Sequence, residues 1–344
     1  MHQEIEWIET IAPDLMDAMT QRFVILKNIA KMQPVGRRSL ALQLNLSERV
    51  LRTETDFLKK QGLVSVAKLG MSLTFKGQMT LQGLAEFMDQ FIDIQQLERQ
   101  LAACLGIKRC LIAKGDSSIS TDVVELMGYL VNDALKTSLP KGKNIIAAMG
   151  GTTMAQVANC MTSDLSVQRE LVFVPARGGI SERVDIQANN ICAQMALKTG
   201  GKHRVLYVPE QVSEDTYYPL LQEPSVQEVI TLINQSNVAL HSVGEALLMA
   251  KRRSMSPEII QMLQQKHAVA EAFGYFFDET GKVVYKIPRI GLQLEDLASM
   301  DCVFAVAGGH LKAKAIVAYM KHAPKQTCLI TDQGAAKAIL KGNV

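Results

Sequence analysis

Most of this chain repeats one pattern: a short, β-branched apolar run, a glycine-rich turn and then a stretch with helical spacing. Buried apolar strands that alternate with helices are typical of a parallel sheet covered by helices. The pattern therefore predicts a Rossmann-like α/β domain. The predicted strands are residues 110–113, 144–149, 171–174, 204–208, 238–243, 302–307 and 328–331, with a hairpin at 275–277 and 282–285.

The first hundred or so residues follow a different pattern. Apolar residues recur there every three to four positions, as in residues 23–29 and 81–88, which predicts helices. Only residues 63–75, where two short apolar runs flank Lys68, Leu69 and Gly70, predict a hairpin. We therefore expect a small helical domain with a hairpin over residues 1–84, a linking helix over 85–106 and the α/β domain over 107–344.

Bulk composition excludes several classes of protein. Apolar residues make up 48% and charged residues 21% of the 344 residues, as in ordinary globular proteins, and the net charge is only +3. The acidic start at residues 1–7 is unlike a signal peptide, and no apolar run approaches the ~18 residues of a membrane span, so we expect a cytoplasmic protein. Six cysteines without a close pair predict buried, reduced thiols and no metal site: Cys104, Cys110, Cys160, Cys192, Cys302 and Cys328.

Residues 36–52 fit two short helices that meet at a tight turn. Asn45 tolerates the left-handed conformation that ends the first helix, and Ser47 is a good N-cap for the second. Gly62 is expected to end that second helix. The spacing predicts a helix-turn-helix, and the hairpin that follows, with Lys68 at its tip, predicts a wing. The residues expected to face inward are Leu40, Leu44, Leu46, Val50 and Leu51.

Positive charge is concentrated in this segment. Between Arg22 and Lys76, eleven Lys and Arg residues stand against three acidic residues, an excess of eight positive charges. Such an excess favours binding to DNA phosphates, although a helical protein-interaction module is the alternative. The second helix is expected to turn outward Arg49, Arg52, Thr53 and Thr55. The predicted DNA contacts are Arg37, Arg38, Ser47, Arg49, Arg52, Thr53 and Lys68.

A glycine pair follows the predicted strand at 144–149. Gly150 and Gly151 stand where the strand meets a helix, and Thr152 and Thr153 come next. In such a turn, backbone N–H groups and the helix N-terminus face an anion, and the hydroxyls add donors. This predicts a phosphate site, although a glycine pair that serves only tight backbone geometry is the alternative.

Two further predicted strands end in a glycine pair and a cation. Arg177 precedes one pair, and Lys312 follows the pair Gly308 and Gly309. Because the carboxyl ends of parallel strands converge on one crevice, we expect both cations near the first glycine pair. A guanidinium fork suits phosphate oxygens, so two anion sites in one crevice predict a bisphosphate ligand.

Four other residues are candidates for the same site. Gln187 is expected to bond sugar hydroxyls, and Arg252 and Arg253 to close over a second phosphate, with solvation at the surface as the alternative. Glu271 lies in an apolar context, where it can accept hydrogen bonds from a sugar or act as a general base. Both a sensor and an enzyme remain open at this point.

The chain resembles the SorC/DeoR-type sugar-responsive transcriptional regulators over nearly its whole length. The strings that carry the resemblance are GRRSL at 36–40, LSERVLR at 46–52, GGTT at 150–153, LVFVPARGG at 171–179, EAFGY at 271–275 and AVAGG at 305–309.

This resemblance implies a repressor of a glycolytic operon, with an effector domain similar in fold to sugar-phosphate isomerases. It implies fructose 1,6-bisphosphate as the inducer, no cofactor, and dimers that pair into a tetramer on operator DNA. The effector contacts that it implies are Gly150, Gly151, Thr152, Thr153, Arg177, Gln187, Arg252, Arg253, Glu271 and Lys312.

Two alternatives to this interpretation remain. One is an isomerase-like enzyme that carries a DNA-binding arm, in which Glu271 is the base, although no motif supplies an acid/base partner. The other is a regulator that responds to a sugar monophosphate or a deoxyribonucleoside phosphate. Turnover of sugar phosphates distinguishes the first, and an unchanged effector response after loss of Arg252 and Arg253 distinguishes the second.

Overall fold

The computed structural model describes residues 13–179, 184–209 and 213–342. The chain divides into two compact units, Met1–Gln95 and Gln96–Val344. The acidic stretch 1–7, on which the expectation about a signal peptide rests, lies outside the described residues. The boundary predicted at residue 84 falls within one continuous helix, Phe75–Leu105, and the boundary predicted at residue 106 comes directly after the end of that helix.

The N-terminal unit is a small helical domain with a two-stranded hairpin. Its core consists of side chains that are fully buried or nearly so, among them Ile25, Ile29, Leu40, Leu51 and Leu58. The elements in chain order are α1 (Pro13–Met32), α2 (Arg37–Gln43), α3 (Glu48–Lys60), β1 (Val64–Ala67), β2 (Gly70–Leu73) and α4 (Phe75–Leu105), the last of which continues into the second unit.

Helices α2 and α3 meet at the predicted tight turn. Asn45 has a φ of 52°, and the Ser47 hydroxyl accepts a hydrogen bond from the backbone N–H of Val50 at 3.3 Å. Gly62, with a φ of 75°, follows the end of α3. The turn between α2 and α3 and the two ends of α3 therefore have the geometry that the sequence predicts.

Two side chains of α3 face the opposite way from the prediction. Thr55 is buried, and its hydroxyl donates to the carbonyl of Arg52 at 3.1 Å, whereas Val50 is 41% exposed. The reason is helical spacing: Leu51, Thr55 and Leu58 lie at positions i, i+4 and i+7, which form one stripe toward the core. Val50 precedes that stripe by one residue and therefore turns outward.

The predicted wing is an antiparallel hairpin. Ala67 pairs with Gly70, which leaves Lys68 and Leu69 as the two residues of the turn. Gly70 has a φ of 137°, and a Cβ at this position would lie 2.8 Å from the backbone of Val35. Glycine is therefore required where the wing packs against the rest of the domain.

The C-terminal unit is a seven-stranded parallel sheet with helices and a smaller antiparallel sheet. Its remaining elements are β3 (Arg109–Ala113), α5 (Asp122–Ser138), β4 (Gly142–Ala148), α6 (Thr152–Cys160), β5 (Arg169–Pro175), α7 (Ala188–Thr199), β6 (Lys202–His203), α8 (Glu214–Gln222), α9 (Pro224–Asn234), β7 (Val238–Ser242), β8 (Gly244–Glu245), α10 (Ala246–Arg252), α11 (Pro257–Gln265), β9 (Ala268–Ala272), β10 (Tyr275–Asp278), β11 (Val283–Lys286), β12 (Cys302–Val306), α12 (Ala313–Met320), β13 (Thr327–Asp332) and α13 (Gln333–Leu340).

The order of strands in the parallel sheet fixes where a ligand can bind. That order is β3-β13-β12-β7-β4-β5-β6, and every neighbouring pair is parallel. The chain leaves β4 toward one edge and leaves β7 toward the other, so these adjacent strands form a topological switch point. Ligands of open α/β sheets bind at the carboxyl ends of such strands. The fold class predicted from the sequence is confirmed.

One face of this sheet packs on α5, α6 and α7. Strand residues such as Ile146, Phe173 and Phe304 contact helix residues such as Met127 and Met195 in one buried cluster. The continuous apolar runs of the sequence form the central strands because both of their faces are buried.

Residues 204–208 are not a strand, in contrast to the prediction. Strand β6 ends at His203, and the backbone N–H of Leu206 donates to the Asn189 side chain at 2.9 Å. The Asn189 amide donates in return to the Leu206 carbonyl at 3.2 Å. A side chain at the start of α7 therefore takes the backbone hydrogen bonds that a neighbouring strand would supply.

The smaller sheet has the order β11-β10-β9-β8 and is antiparallel. It contains the predicted hairpin, as β10 and β11, and two strands that the sequence analysis does not include. Gly244 of β8 pairs with Glu271 of β9, and α10 begins directly after β8. This sheet therefore brings Glu271 and the basic end of α10 toward the switch point.

Two expectations about composition concern the described residues. All six cysteines there are unpaired, and four are buried, whereas Cys104 is exposed and Cys302 is half-buried, so the prediction of burial is wrong for these two. The described part of the chain contains no cluster of His, Cys, Asp and Glu able to hold a metal. None of its helices combines the length and apolar character that crossing a bilayer requires.

Candidate functional site

A pocket lies at the carboxyl ends of β4 and β7, at the switch point of the sheet. Among the described residues, nine of the ten predicted effector contacts line it: Gly150, Gly151, Thr152, Thr153, Arg177, Arg252, Arg253, Glu271 and Lys312. Ser242, Phe273 and Met249 line it as well. Five separate stretches of sequence therefore meet in one place, as the rule for parallel strands predicts.

The turn between β4 and α6 requires both of its glycines. Gly151 has a φ of 123°, which side chains rarely allow, and its N–H donates to the carbonyl of Ile186 at 2.8 Å. A Cβ on Gly150 would lie 2.7 Å from that same carbonyl oxygen and 3.6 Å from the Arg177 guanidinium. The turn thus brings backbone, the N-terminus of α6 and Arg177 close together, which is a suitable arrangement for an anion.

Gln187 is the one predicted contact that does not line the pocket. It is the N-cap residue of α7. Its neighbours in sequence, Ile186 and Ala188, approach the Gly150 turn, so Gln187 lies beside the pocket rather than in its wall. Residues 180–183, which precede this segment, are outside the described part of the chain.

Glu271 interacts with a neighbouring arginine and accepts a hydrogen bond from the backbone. Its exposed fraction is 5%, its Oε2 lies 3.3 Å from Nη1 of Arg253, and its Oε1 accepts a hydrogen bond of 2.7 Å from the Gly274 N–H. Burial alone raises the pKa of this carboxyl, but Arg253, Arg177 and the Gly274 N–H lower it further, so the net shift is downward. Glu271 is therefore ionised at neutral pH and accepts hydrogen bonds rather than donating a proton.

Lys312 and Arg252 bring positive charge to the same pocket. Lys312 is the last residue of the short helical turn His310–Lys312, which comes directly before α12. Burial, and then the nearby Arg252, lowers the pKa of Lys312, whereas Asp332 and Glu245 raise it. Two neighbouring cations repel each other, and an anion that binds between them offsets this repulsion.

Sequence reasoning misses Arg289, a buried arginine near the pocket with an exposed fraction of 4%. Its Nη2 donates to the carbonyl of Leu292 at 3.0 Å, and its guanidinium lies 5.8 Å from the ring centre of Phe273. The available signal was one charged residue in the otherwise apolar stretch from Ile287 to Leu292. We call Arg177, Arg253 and Arg289, which surround Glu271, the arginine cluster.

The predicted DNA contacts lie on the surface of the helix-turn-helix domain. All are exposed except Arg37, which is half-buried. Arg37 lies 2.7 Å from Asp56, Arg52 lies 3.7 Å from the same carboxylate, and Arg38 lies 3.4 Å from Glu48. Three of the predicted arginines therefore have an acidic partner on α3.

The other predicted DNA contacts are arranged as follows. The Thr53 hydroxyl donates to the backbone carbonyl of Arg49 at 3.1 Å, and the Arg49 side chain is exposed. The Ser47 hydroxyl serves as the N-cap, and Lys68 lies in the turn of the wing. The exposed face of α3 and the wing thus present several cations, together with hydroxyls that bond to backbone.

Comparison with known proteins gives matches to both units. Residues 18–88 match the CggR N-terminal DNA binding domain family, and residues 89–341 match the Sugar-bind family, described as a sugar-binding domain. The central glycolytic genes regulator of Bacillus subtilis (strain 168) is 45% identical over 341 residues, which are 99% of this chain and 99% of that protein.

Two solved structures are similar as well. A SorC family transcriptional regulator from Enterococcus faecalis has a TM-score of 0.68 at 58% identity, and the match covers 71% of this chain and 99% of that one. The full-length sorbitol operon regulator SorC from Klebsiella pneumoniae shares the fold, with a TM-score of 0.66 at 16% identity over 92% of this chain and 97% of that one.

These relatives are transcriptional regulators and not enzymes, so the interpretation as an isomerase-like enzyme with a DNA-binding arm is set aside. The resemblance that the sequence motifs indicate is confirmed. Because the match runs through both units and along the full length of a relative, the chain belongs to the SorC family of sugar-binding transcriptional regulators.

Proposed function

We propose that this regulator represses glycolytic genes and that fructose 1,6-bisphosphate relieves the repression. The name of the Bacillus subtilis relative concerns glycolytic genes, and the family match supports a sugar ligand. The observation that carries the choice of a bisphosphate is the composition of the pocket. Its lining includes four cations, Arg177, Arg252, Arg253 and Lys312, and one carboxylate, Glu271.

The pocket has two groups of hydrogen-bond donors that can bind an anion. The first is the turn of Gly150 to Thr153 at the N-terminus of α6, with Arg177 beside it. The second is Lys312 with Arg252, whose positive charge is close enough to lower the pKa of Lys312. One phosphate at each group would satisfy the donors and reduce the repulsion between like charges.

Glu271 is the natural partner for the sugar between the two phosphates. An ionised carboxylate accepts hydrogen bonds from hydroxyl groups and repels phosphate. It therefore favours a ligand that has hydroxyls at this position, which distinguishes a sugar bisphosphate from inorganic anions. We also expect the Gln187 amide, beside the pocket, to bond hydroxyl groups of the sugar.

The ligand must bind one of two arrangements of the protein more tightly than the other, because equal affinity for both would leave the equilibrium between them unchanged. We expect dimers that pair into a tetramer on an operator, with α3 in the major groove and the Lys68 wing on the flanking backbone. A coupling of about 1–3 kcal/mol between effector and DNA is typical of such regulators.

Calorimetric titration tests the ligand. Wild type, Arg177→Ala and the exposed control Arg204→Ala are each titrated with fructose 1,6-bisphosphate and with fructose 6-phosphate. We expect binding of the bisphosphate at least about tenfold tighter than the monophosphate, a loss of at least about 30-fold in Arg177→Ala, and wild-type affinity in the control. Equal affinity for the two sugars would replace the bisphosphate with a monophosphate effector, and no binding of either would refute the proposed ligand class.

A further inference from the structure

The glycine pair before Lys312 binds a carboxylate of the protein itself. The Gly309 N–H donates to Oδ2 of Asp332 at 2.7 Å, and a Cβ on Gly308 would clash with the same oxygen. Among the described residues that line the pocket, the segment 308–312 contributes Lys312 and not the glycines. We call this segment the Lys312 turn. Its glycines therefore serve to hold the turn in place, whereas its lysine faces the ligand.

The carboxylate of Asp332 is fully buried and joins three segments of the chain. Its Oδ2 also accepts a hydrogen bond from the Ser117 N–H at 2.8 Å, and its Oδ1 accepts one from the Ala335 N–H at 2.8 Å, as the N-cap of α13. Backbone donors thus compensate for the burial of this carboxylate. Asp332 thereby ties the Lys312 turn to the start of α13 and to the loop after β3.

Asp116, in that loop after β3, holds the same turn through a second carboxylate. Its Oδ2 lies 2.6 Å from Nδ1 of His310, and its Oδ1 accepts from the N–H groups of His310 at 3.3 Å and Ser118 at 2.9 Å. Burial alone raises the pKa of Asp116, but the Ser118 N–H and His310 lower it further, so the net shift is downward. Because an ionised carboxylate only accepts, Nδ1 of His310 is the donor. His310 is therefore held by its backbone and by its ring.

The loop that carries Asp116 is itself anchored. The Gly334 N–H donates to the carbonyl of Gly115 at 3.0 Å. A Cβ on Gly334 would clash with the carboxyl group of Asp116, so this group packs against the backbone at the start of α13. Within the Lys312 turn, the Lys312 N–H donates to the carbonyl of Gly309 at 3.0 Å. A continuous path of hydrogen bonds therefore leads from the anchored loop to the lysine of the pocket.

We infer that Asp116 is a positioning residue of the effector site, which holds the Lys312 turn through His310 and so fixes the place of the Lys312 ammonium group. This inference rests on the proposed sugar-phosphate ligand and adds to it a residue that the binding of the second phosphate requires. The ligand does not contact Asp116. Because Lys312 belongs to only one of the two donor groups of the pocket, Asp116 matters more for a bisphosphate than for a monophosphate, which can bind at the Gly150 turn alone.

The sign of the effect separates positioning from electrostatics. Asp116 carries a negative charge near a site for anions, so the loss of that charge alone would strengthen the binding of a phosphate. Loss of the hydrogen bonds to His310 would instead release the Lys312 turn and weaken it. A weaker bisphosphate complex after removal of an acidic residue is therefore the result that only the positioning role explains.

The test uses the full chain and a double-mutant cycle. Asp116→Ala, Lys312→Met and the double variant are each titrated calorimetrically with fructose 1,6-bisphosphate and with fructose 6-phosphate. Asp116→Asn keeps an acceptor for the N–H groups and an amide that can donate to the other tautomer of His310. Asp278→Ala is the matched control, because Asp278 also accepts from an N–H two residues later, that of Thr280 at 2.9 Å, and is not part of the pocket lining.

We expect Asp116→Ala to bind the bisphosphate at least about tenfold more weakly, which corresponds to a lost charge-assisted hydrogen bond, and Asp116→Asn to stay within about threefold of wild type. Affinity for the monophosphate should change by less than about threefold in both variants. In the Lys312→Met background, Asp116→Ala should have no further effect, because the ammonium group that it positions is absent. Asp278→Ala should bind both sugars as wild type does.

Hydrogen exchange tests the turn without any ligand. The N–H groups of Gly309, His310 and Lys312 are all donors in the turn. The peptide that contains them should exchange about fivefold or more faster in Asp116→Ala than in wild type or in Asp278→Ala, because the turn opens more often. Unchanged exchange of this peptide would overturn the inference, since Asp116 would then not hold the turn.

The two measurements separate the possible failures. If wild type binds neither sugar, the proposed effector is wrong, and hydrogen exchange still decides whether Asp116 holds the Lys312 turn. Unchanged or tighter binding of the bisphosphate in Asp116→Ala would overturn the inference. An equal loss of affinity for both sugars would do so too, as would a loss of the same size in the Lys312→Met background, because Asp116 would then act independently of Lys312.

Discussion

His241 should make this protein sensitive to mild acid. It lies on β7, directly before the pocket residue Ser242, and its exposed fraction is 1%. Its Nε2 lies 3.0 Å from the hydroxyl of Tyr319, and its ring packs 4.6 Å from that of Phe273. Burial raises the pKa of Tyr319, so the phenol keeps its proton and is the donor to Nε2. The neutral histidine then carries its own proton on Nδ1, which faces the Ser242 carbonyl at 3.3 Å.

The size of the effect follows from the two pKa values. Burial lowers the pKa of His241 from its ordinary 6.5 to about 4, and Ser242 and Glu271 offset only part of that shift. Below pH 6.5 His241 is protonated in the unfolded chain, but it stays neutral in the folded protein down to about pH 4. The free energy of unfolding therefore falls as the pH drops through this window. Between pH 7 and pH 5 the loss is about 2 kcal/mol, from the linkage relation for one group.

Thermal melts of wild type and His241→Gln at pH 7.0 and 5.0 measure this loss. Glutamine keeps an acceptor for Tyr319 but does not titrate. For a unit of this size, about 2 kcal/mol corresponds to roughly 4–8 °C in Tm. The acid-induced drop in Tm of the sugar-binding unit should therefore be smaller by that amount in His241→Gln. The exposed His203→Gln should retain the full wild-type drop.

Because the acid-induced drop in Tm is compared between the two proteins, the contributions of other groups that titrate in this range cancel. If His241→Gln and wild type lose the same number of degrees between the two pH values, His241 does not resist protonation in the folded protein. The hydrogen bond from Tyr319 would then be lost at pH 5.0, because a protonated imidazole cannot accept it.

Three other predictions concern single positions. Gly151→Ala, at a φ of 123°, should destabilise the sugar-binding unit by about 1–3 kcal/mol in chemical unfolding and weaken bisphosphate binding in calorimetry; wild-type values in both would show that the turn relaxes at no cost. Ser47→Ala removes the N-cap of α3 and should cost about 1 kcal/mol in the unfolding of the DNA-binding unit, whereas Ser39→Ala, outside the cap, should not. Lys68→Ala should reduce the slope of log K against log salt by about 1 in DNA-binding titrations and weaken all sequences alike, and a loss confined to one sequence would contradict a phosphate contact.

Features that depend on neighbouring residues were the easiest to predict from the sequence. The central strands are continuous apolar runs, and the Asn45 turn and the Ser47 cap involve contacts over a few residues. The convergence of Gly150 and Arg177 at one pocket follows from the general rule for parallel strands rather than from any contact visible in sequence.

The errors come from partners that are distant in sequence. Residues 204–208 have the composition of a strand, but Asn189 takes their backbone hydrogen bonds. Whether Val50 or Thr55 faces the core depends on the exact rotation of α3, and a shift of one residue reverses the two. Arg289 is found only in three dimensions, since it lies against the backbone of Gly274 and near the ring of Phe273, both of which are distant from it in sequence.

Asp56 has a consequence for how this regulator searches DNA. Its carboxylate lies near both Arg37 and Arg52, so a phosphate that binds either arginine replaces a partner that is already present. We then expect fewer counterions to be released than the eleven Lys and Arg residues of this segment suggest on their own. Binding to random sequence depends almost entirely on that release, so we expect it to be reduced more than binding to an operator, where base contacts add to the affinity. We therefore expect Asp56 to shorten the time that the protein spends on nonspecific DNA.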